Sequence, residues 1–366
     1  MLDEAWLTAA YELLGIPSTA DRPAELARAL DWMIDRVGPG FTVERFESRG
    51  KASALLYRGD VRPGRFRMIL NGHLDVVPAP GDLFTPRREG DRLHARGAQD
   101  MKLSALVMAD VFRELAPQLP YPLGLQLVTD EEVGGRDGTG HQVEAGVTTD
   151  FAVIGEMSRL DITVESKGLI DVTLTAAGRA AHGAYPWLGD NALLTVVRAV
   201  QALLERYPVP SEEAWRTTVN VAKIDTPNAA FNQVPSAASA WLNLRFPPTD
   251  PDFTGRTVAE VTRHLATIAG PGVEVGVAHV DAPHLAERDH PDVAALRKAA
   301  QAQGYGGAYL RRHGAGDGRF YFQAGMAAVA FGIGGDGQHG PDEYADLGTI
   351  PAYRDALRDF LLGTRW

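Results

Sequence analysis

The sequence predicts an α/β fold, in which a mixed, largely parallel sheet is flanked by helices and a smaller α+β domain is inserted into the chain. Short uninterrupted apolar runs, typical of strands buried on both faces, alternate with helical patterns towards both ends of the chain. Between about residues 168 and 281, alternating apolar and polar residues instead indicate half-exposed strands. We therefore expect one domain over residues 1–167 and 282–366, and the inserted domain over 168–281.

The larger predicted domain contains two clear helical patterns and four buried strands. The first helix covers about residues 24–37, where apolar residues recur at helical spacing until Gly38. The second helical pattern covers residues 102–115. The apolar runs that predict strands cover residues 66–70, 123–128, 151–154 and 327–331.

The inserted domain begins with a predicted half-exposed strand at residues 171–175, followed by a helix that Asp190 can cap. A second alternating strand covers residues 240–246, and another helix covers residues 258–268. The apolar face of the first of these helices is predicted to consist of Leu193, Leu194, Val197, Val200 and Leu204.

Composition narrows the classes of partner. The net charge of -11 argues against nucleic acid or an anionic membrane as a general partner. No stretch approaches the roughly 18 apolar residues of a membrane span, so no membrane partner is expected. The absence of cysteine excludes disulfides and thiolate metal ligands. Together with an acidic N-terminus unlike a signal peptide, this favours a cytoplasmic location.

Two histidines and three carboxylates each lie just after a predicted strand or just before a predicted helix. In parallel sheets, ligands bind at these positions, beyond the carboxyl ends of the strands. Imidazole and carboxylate are ligands that hold pairs of divalent metals such as zinc. Glu131 remains beside this set as a carboxylate that could act as a base towards water. The five candidate metal ligands are His73, Asp100, Glu132, Glu156 and His339.

Two of these candidates have simpler explanations in the sequence. His73 and Asp75 lie two apart on an extended segment, so Asp75 could fix the second nitrogen of a metal-bound His73. The alternative is a surface His-x-Asp at a strand end. Asp100 could likewise be a helix N-cap, a metal ligand, or both.

Taken together, eight segments in this order resemble the M20 family of metallopeptidases, close to its acetylornithine deacetylase and succinyl-diaminopimelate desuccinylase branch. The segments are residues 72–78, 96–102, 130–132, 155–156, 181–186, 232–235, 316–320 and 339–343. The resemblance covers nearly the whole chain. It implies an inserted domain that serves as a lid and forms a homodimer.

The same resemblance implies a role for each candidate ligand. Asp100 would bridge two Zn²⁺ ions per chain, for which Co²⁺ or Mn²⁺ can substitute. His73 and Glu156 would complete one site, and the other would be completed by Glu132 and His339.

Three residues form the catalytic set that the resemblance implies: Glu131 as general base, Asp75 beside His73, and His182. The histidine of relatives that matches His182 reaches the partner subunit's active site and stabilises the oxyanion. Substrate contacts are expected from Asn232, Arg245 and Arg319, the two arginines binding a substrate carboxylate. At Gly316 many relatives carry a hydroxyl residue, so their specificity does not transfer directly.

Three functions are compatible with these residues. The first is a deacylase that cleaves the amide bond of an N-acyl amino acid, and the second is a carboxypeptidase or dipeptidase with the same site. The third is a non-catalytic, metal-dependent peptide-binding protein. Glu131 argues against the third function, because binding alone requires no base.

Overall fold

The computed structural model describes residues 3–364. The chain forms two compact units. The first unit comprises the chain up to residue 164, residues 285–311 and the chain from residue 316 onwards. The second unit comprises Glu165–His284 and Arg312–Ala315.

The helices and strands are numbered here in chain order. The helices are α1 Glu4–Leu14, α2 Pro23–Val37, α3 Leu103–Leu115, α4 His141–Glu144, α5 Ala192–Arg206, α6 Val258–Ala269, α7 Pro291–Ala302, α8 Gly318–Gln323 and α9 Thr349–Gly363. The strands are β1 Thr42–Ser48, β2 Lys51–Tyr57, β3 Phe66–His73, β4 Arg87–Glu89, β5 Arg92–His94, β6 Leu123–Val128, β7 Thr149–Ile154, β8 Ile162–Ser166, β9 Gly168–Ala177, β10 Thr218–Asp225, β11 Ala237–Phe246, β12 Glu274–Asp281, β13 His284–Leu285, β14 Tyr309–Arg312, β15 Ala327–Ala330, β16 Gly335–Asp336 and β17 Tyr344–Asp346.

The main sheet has the strand order β1-β2-β6-β3-β7-β15-β8-β13, with β14 paired to β8. The predicted α/β class with a mixed sheet is confirmed. Parallel pairing occurs at the centre, where β3 lies between β6 and β7 and β15 pairs with β7. The pairs β1/β2, β2/β6 and β15/β8 are antiparallel. A short hairpin turn such as that between β1 and β2 permits only antiparallel pairing.

The central strands are buried on both faces, which explains their continuous apolar sequences. On β3, Met68 and Leu70 pack in the large cluster that includes residues of α1, α2, α3, α7 and α9. Ile69 points to the opposite face and packs in a second cluster with Tyr321 of α8. Because residue 73 follows the alternation of residue 69, the strand directs His73 towards the same face as Ile69.

The second unit has a four-stranded antiparallel sheet with the order β10-β11-β9-β12. The apolar sides of α5 and α6 pack with buried residues of this sheet in one cluster. Strand β9 alternates between buried and more exposed residues, as its sequence predicts. An edge strand such as β10 has one side without a hydrogen-bonded neighbour within its sheet.

The predicted cap of α5 is wrong, and its predicted apolar face is right only in part. Asn191, not Asp190, caps the helix by accepting a hydrogen bond from the Leu194 amide. The backbone of Asp190 is instead held in an extended bridge with Arg179. Of the predicted face, Val200 is buried and Leu193 and Leu204 pack against the core, but Leu194 is exposed. The other buried residues of the helix are Ala192, Val196, Ala199 and Leu203. Because α5 is apolar on more than one side, its periodicity does not identify the side that meets the sheet.

A third, small sheet has the order β16-β17-β5-β4 and belongs to the first unit. It pairs chain segments that are far apart in sequence, since β5 lies near residue 93 and β17 near residue 345. Within residues 3–364, no helix is long and apolar enough to cross a membrane.

The close packing of β3 against α3 generates a stability prediction. A Cβ atom at Gly72 would lie 2.9 Å from the Cβ atom of Ala105 on α3. We expect Gly72→Ala to lower the free energy of unfolding by about 1–3 kcal/mol, because the helix must move away from the strand. Urea denaturation would measure this change.

Gly64→Ala is the matched control, because a Cβ there meets no atom within 4 Å and the residue is exposed. This control should leave stability unchanged or raise it slightly. Equal effects of the two substitutions would contradict the packing argument.

Candidate metal centre

The predicted ligands meet at the carboxyl ends of the central parallel strands. His73 is the last residue of β3, Glu132 lies in the turn after β6, and Glu156 follows β7. Asp100 lies in the turn Ala98–Lys102 that precedes α3, and His339 follows β16. Because β6, β3 and β7 are adjacent and parallel, the turns after them emerge at one edge of the sheet.

The five side chains form two groups that share Asp100. Nε2 of His73 lies 3.0 Å from Oδ1 of Asp100 and 3.4 Å from Oε1 of Glu156. Nε2 of His339 lies 3.1 Å from Oδ2 of Asp100 and 3.2 Å from Oε2 of Glu132. The two oxygens of Asp100 therefore face different groups, as a carboxylate that bridges two cations would require.

The orientation of His73 suits a metal ligand. Its Nδ1 lies 3.0 Å from the backbone carbonyl oxygen of Asp75, which can only accept a hydrogen bond. In the neutral ring Nδ1 therefore carries the hydrogen, and the lone pair of Nε2 faces Asp100 and Glu156. The carbonyl of Asp75 makes this contact more closely than its carboxylate, whose Oδ1 lies 3.5 Å from Nδ1.

The carboxylate of Asp75 holds the turn that follows β6. Its Oδ1 accepts a hydrogen bond of 3.2 Å from the Glu131 amide, and its Oδ2 accepts one of 2.9 Å from the Glu132 amide. Asp75 thus contacts His73 through its backbone and the two glutamates through its side chain. It links the first group of ligands to Glu131.

Electrostatics show that the centre needs positive charge. Burial opposes ionisation of Asp100, yet hydrogen bonds with His339 and His73 hold its pKa well below the ordinary value. Hydrogen bonds with Asp100 and Glu132 raise the pKa of His339 to about 10. Burial disfavours a charged His73, but its carboxylate partners raise its pKa well above the ordinary value. Protons on the imidazoles thus offset the carboxylates, and divalent cations bound to the same atoms would replace them.

Glu131 belongs to neither group of ligands. Burial and the nearby Glu156 carboxylate raise the pKa of Glu131 well above its ordinary value. A Cβ atom at Gly316 would lie 3.9 Å from Oε1 of Glu131, with no other non-neighbouring atom of the described chain within 4 Å. The glycine at this position therefore leaves space beside the Glu131 carboxylate.

Both simpler explanations of the sequence are wrong. His73 and Asp75 are 1% and 0% exposed, so they are not a surface pair. Helix α3 begins at Leu103 with no side-chain cap, and Asp100 instead contacts the two histidines and accepts a hydrogen bond of 2.6 Å from Gln338. Gln338 received no role from its sequence, since a glutamine beside a histidine carries no specific pattern.

A buried carboxylate near Glu131 also had no predicted role. Asp317 is 1% exposed and accepts a hydrogen bond from the hydroxyl of Thr139, which in turn accepts one of 2.9 Å from Asn71. Burial raises the pKa of Asp317 to about 7. The sequence places Asp317 in a recognisable segment, but no periodicity shows that its carboxylate is enclosed.

The second unit brings His182 and Asn232 together. The Gly183 amide donates a hydrogen bond of 2.6 Å to the carbonyl of Asn232, and His182 forms a bridge with Gln233. His182 is exposed, and its Nδ1 accepts a hydrogen bond of 3.1 Å from the Ala184 amide. Its Nε2 edge is the part of the ring that remains for contact with another group.

The two arginines expected to bind substrate have different surroundings. Arg245 lies on β11 of the second unit, and its Nε donates to Oδ1 of Asn243 at 2.9 Å. Arg319 lies in the first unit and is 4% exposed. Its Nη1 and Nη2 donate to the carbonyls of Gly316 and Gly134 at 2.9 and 2.5 Å. These bonds tie the loop after Glu132 to Gly316, and substrate binding by Arg319 stays a prediction.

Residues 69–363 match the family model described as Peptidase family M20/M25/M40. The chain belongs to this family. It is 31% identical to a protein of Mycobacterium tuberculosis (strain ATCC 25618 / H37Rv), provisionally named a succinyl-diaminopimelate desuccinylase, over 99% of this chain and 98% of that protein. It is also 31% identical to the succinyl-diaminopimelate desuccinylase of Granulibacter bethesdensis, over 98% of both chains.

The fold is also similar to that of solved peptidase structures. The structure of a tripeptidase from Staphylococcus aureus superposes with a TM-score of 0.79 at 18% identity, covering 99% of this chain and 98% of that one. The family model and the full-length relatives confirm membership of the M20 family, and the protein is a metal-dependent hydrolase. The two groups of candidate ligands agree with that chemistry.

Proposed function

We propose that this M20 hydrolase is a deacylase that uses two Zn²⁺ ions to cleave the amide bond of an N-acyl amino acid. The observation that carries the proposal is the sharing of Asp100 between two groups of ligands, while Glu131 stands outside both. The desuccinylase names of relatives that align over nearly the full chain favour a deacylase.

The mechanism assigns one function to each part of the centre. Two bound cations would acidify water and polarise the scissile carbonyl. Glu131 takes the proton of the attacking water and delivers it to the leaving amine, which is general base and then general acid catalysis.

The substrate carboxylate requires a local cation, because the chain carries a net charge of -11. Arg245 and Arg319 are the two candidates, and the terminal nitrogens of Arg319 also donate to backbone carbonyls. Asn232 would add a hydrogen bond to the same substrate. The space beside Gly316 and Glu131 would lie next to the scissile bond and influence which substituents fit.

A carboxypeptidase or dipeptidase activity would use the same groups, so substrate choice must be measured. We expect zinc-loaded protein to hydrolyse N-succinyl or N-acetyl amino acids faster than dipeptides. Faster hydrolysis of dipeptides would favour the peptidase instead. Binding without hydrolysis of any of these compounds would favour the non-catalytic alternative.

The shared carboxylate generates a prediction about metal content. Zinc-loaded wild-type protein should contain close to two ions per chain, and Asp100→Ala should lose both, because each group loses a ligand. Elemental analysis after gel filtration would measure the ratio. The control is Asp150→Ala, which removes a half-exposed carboxylate paired with Arg65 and should retain two ions. Full zinc occupancy in Asp100→Ala would disprove the bridging role.

The assignment of Glu131 predicts that binding and turnover can be separated. Glu131→Gln should keep both metals, because Glu131 belongs to neither group of ligands. It should lose about 10²–10⁴-fold or more in kcat, because the amide cannot accept a proton. Steady-state kinetics together with metal analysis would test this, and a variant within tenfold of wild type would show that another group is the base.

We also propose that the second unit forms a homodimer in which His182 reaches the active site of the partner. An exposed apolar surface surrounds His182 and Asn232, as expected of a contact region. Its members, all of them exposed, are Tyr185, Trp187, Leu188 and Phe231. An imidazole brought to the scissile carbonyl would stabilise the negative charge that develops on its oxygen.

Complementation between inactive variants would test this arrangement. Homodimers of His182→Ala and of Glu131→Gln should both be nearly inactive. After subunit exchange, one site of each heterodimer would contain both intact groups, so part of the activity should return. Exchange with wild-type chains serves as the control for mixing. If exchanged subunits stay inactive, His182 does not act in the partner.

A further inference from the structure

A buried ion pair connects the two loops that carry Asp100 and His339. Arg96 and Glu343 are 3% and 1% exposed, and Nη1 of Arg96 donates to Oε2 of Glu343. The two residues are 247 positions apart in the chain. Their loops leave the small sheet at neighbouring positions, where the Ala95 amide donates to the Glu343 carbonyl at 3.3 Å.

Glu343 also fixes the backbone at the bridging residue. Its Oε1 accepts hydrogen bonds from the amides of Gln99 and Asp100, at 3.1 and 3.3 Å. Those amides belong to the turn Ala98–Lys102, whose backbone is not helical at Asp100. A carboxylate that accepts both amides therefore determines where the turn presents the Asp100 side chain.

Arg96 makes the corresponding contacts on the other loop. Its Nη2 donates to the carbonyls of His339 and Gly340, at 3.0 and 3.2 Å. His339 has a φ of 61°, in the left-handed region that residues with a side chain rarely adopt. The surrounding structure must hold such a conformation, and the two hydrogen bonds from Arg96 do so next to the ring that faces Asp100 and Glu132.

Overall stability alone does not explain this ion pair. Removing two charges from water is costly, and apolar residues of similar size often replace a buried pair without loss of stability. Here each partner uses its remaining hydrogen-bonding atoms on the backbone of a metal ligand. The planar fork of an arginine spreads its donors between a carboxylate on one side and carbonyls on the other, a geometry that the compact ammonium of a lysine does not reproduce.

We propose that Arg96 and Glu343 are positioning residues that fix the distance between Asp100 and His339. The inference rests on the two-metal site proposed above. Among the candidate ligands, Arg96 contacts His339 directly and reaches Asp100 only through Glu343, so its replacement should weaken chiefly the metal position formed by Asp100, Glu132 and His339. Glu343 holds the shared Asp100, so its loss should weaken both positions.

The test is titration of the full metal-free chain with Zn²⁺ in competition with a chromophoric chelator. We expect Arg96→Lys to lower the affinity for one of the two Zn²⁺ ions by about 10- to 100-fold and to leave the affinity for the other nearly unchanged. Glu343→Gln should lower the affinity for both Zn²⁺ ions by about tenfold or more. These conservative variants keep side-chain size, and circular dichroism would show that they are folded.

Arg67→Lys is the matched control, because Arg67 forms a comparable two-bond ion pair with Asp292, and neither partner is a candidate metal ligand. It should bind two equivalents with wild-type affinity even if its thermal stability falls. The inference would be overturned if Arg96→Lys and Glu343→Gln both bound two Zn²⁺ ions with wild-type affinity. It would also be overturned if the control lost as much zinc affinity as these variants. A wild-type protein that binds fewer than two ions would overturn the two-metal proposal as well.

Discussion

The candidate metal centre depends on one shared carboxylate in a buried, negatively charged site. Asp100 offers one oxygen to the group that contains His73 and the other to the group that contains His339. The carboxylates raise the pKa values of both histidines, which favours positive charge on the imidazoles where no cation is bound. The local structure therefore serves to hold several carboxylates together against their mutual repulsion, an arrangement that divalent metal ions stabilise.

The fold supplies this arrangement through two different kinds of contact. Adjacent parallel strands β6, β3 and β7 direct three of the ligand-bearing turns to one edge of the sheet. The other two ligands lie on turns outside these strands, and their backbones are fixed by hydrogen bonds in which Arg96 donates to His339 and Glu343 accepts from Asp100. The sheet thus determines where the centre lies, while Asp75, Arg96 and Glu343 determine the orientation of its turns.

The second unit contributes a different kind of surface. Its sheet and helices enclose their own apolar core, while aromatic residues near His182 remain exposed. A compact unit with its own core can move or associate as one body and still present His182 and Asn232 in a fixed relation. This division suits our proposal that one unit holds the metals and the other delivers a group to a partner's substrate.

Much of the fold was determined by local sequence. Continuous apolar runs identified the buried strands β3, β6, β7 and β15, because a strand covered on both faces has no polar positions. The alternating pattern of β9 likewise identified a half-exposed strand. Periodicity was less informative for α5, because a helix that is apolar on several sides does not record which side meets the sheet.

For the candidate site, the sequence determined the donor atoms and their order, since imidazoles and carboxylates that follow buried strands can be recognised from the sequence alone. It also carried the segments that identify the family. Only the tertiary structure decided that Asp100 faces two histidines rather than capping α3, and that Arg319 donates to backbone carbonyls. It alone joined Arg96 to Glu343 across 247 positions. Such contacts depend on the folded path of the chain, and neither periodicity nor residue type records which distant backbone atoms a buried charge will meet.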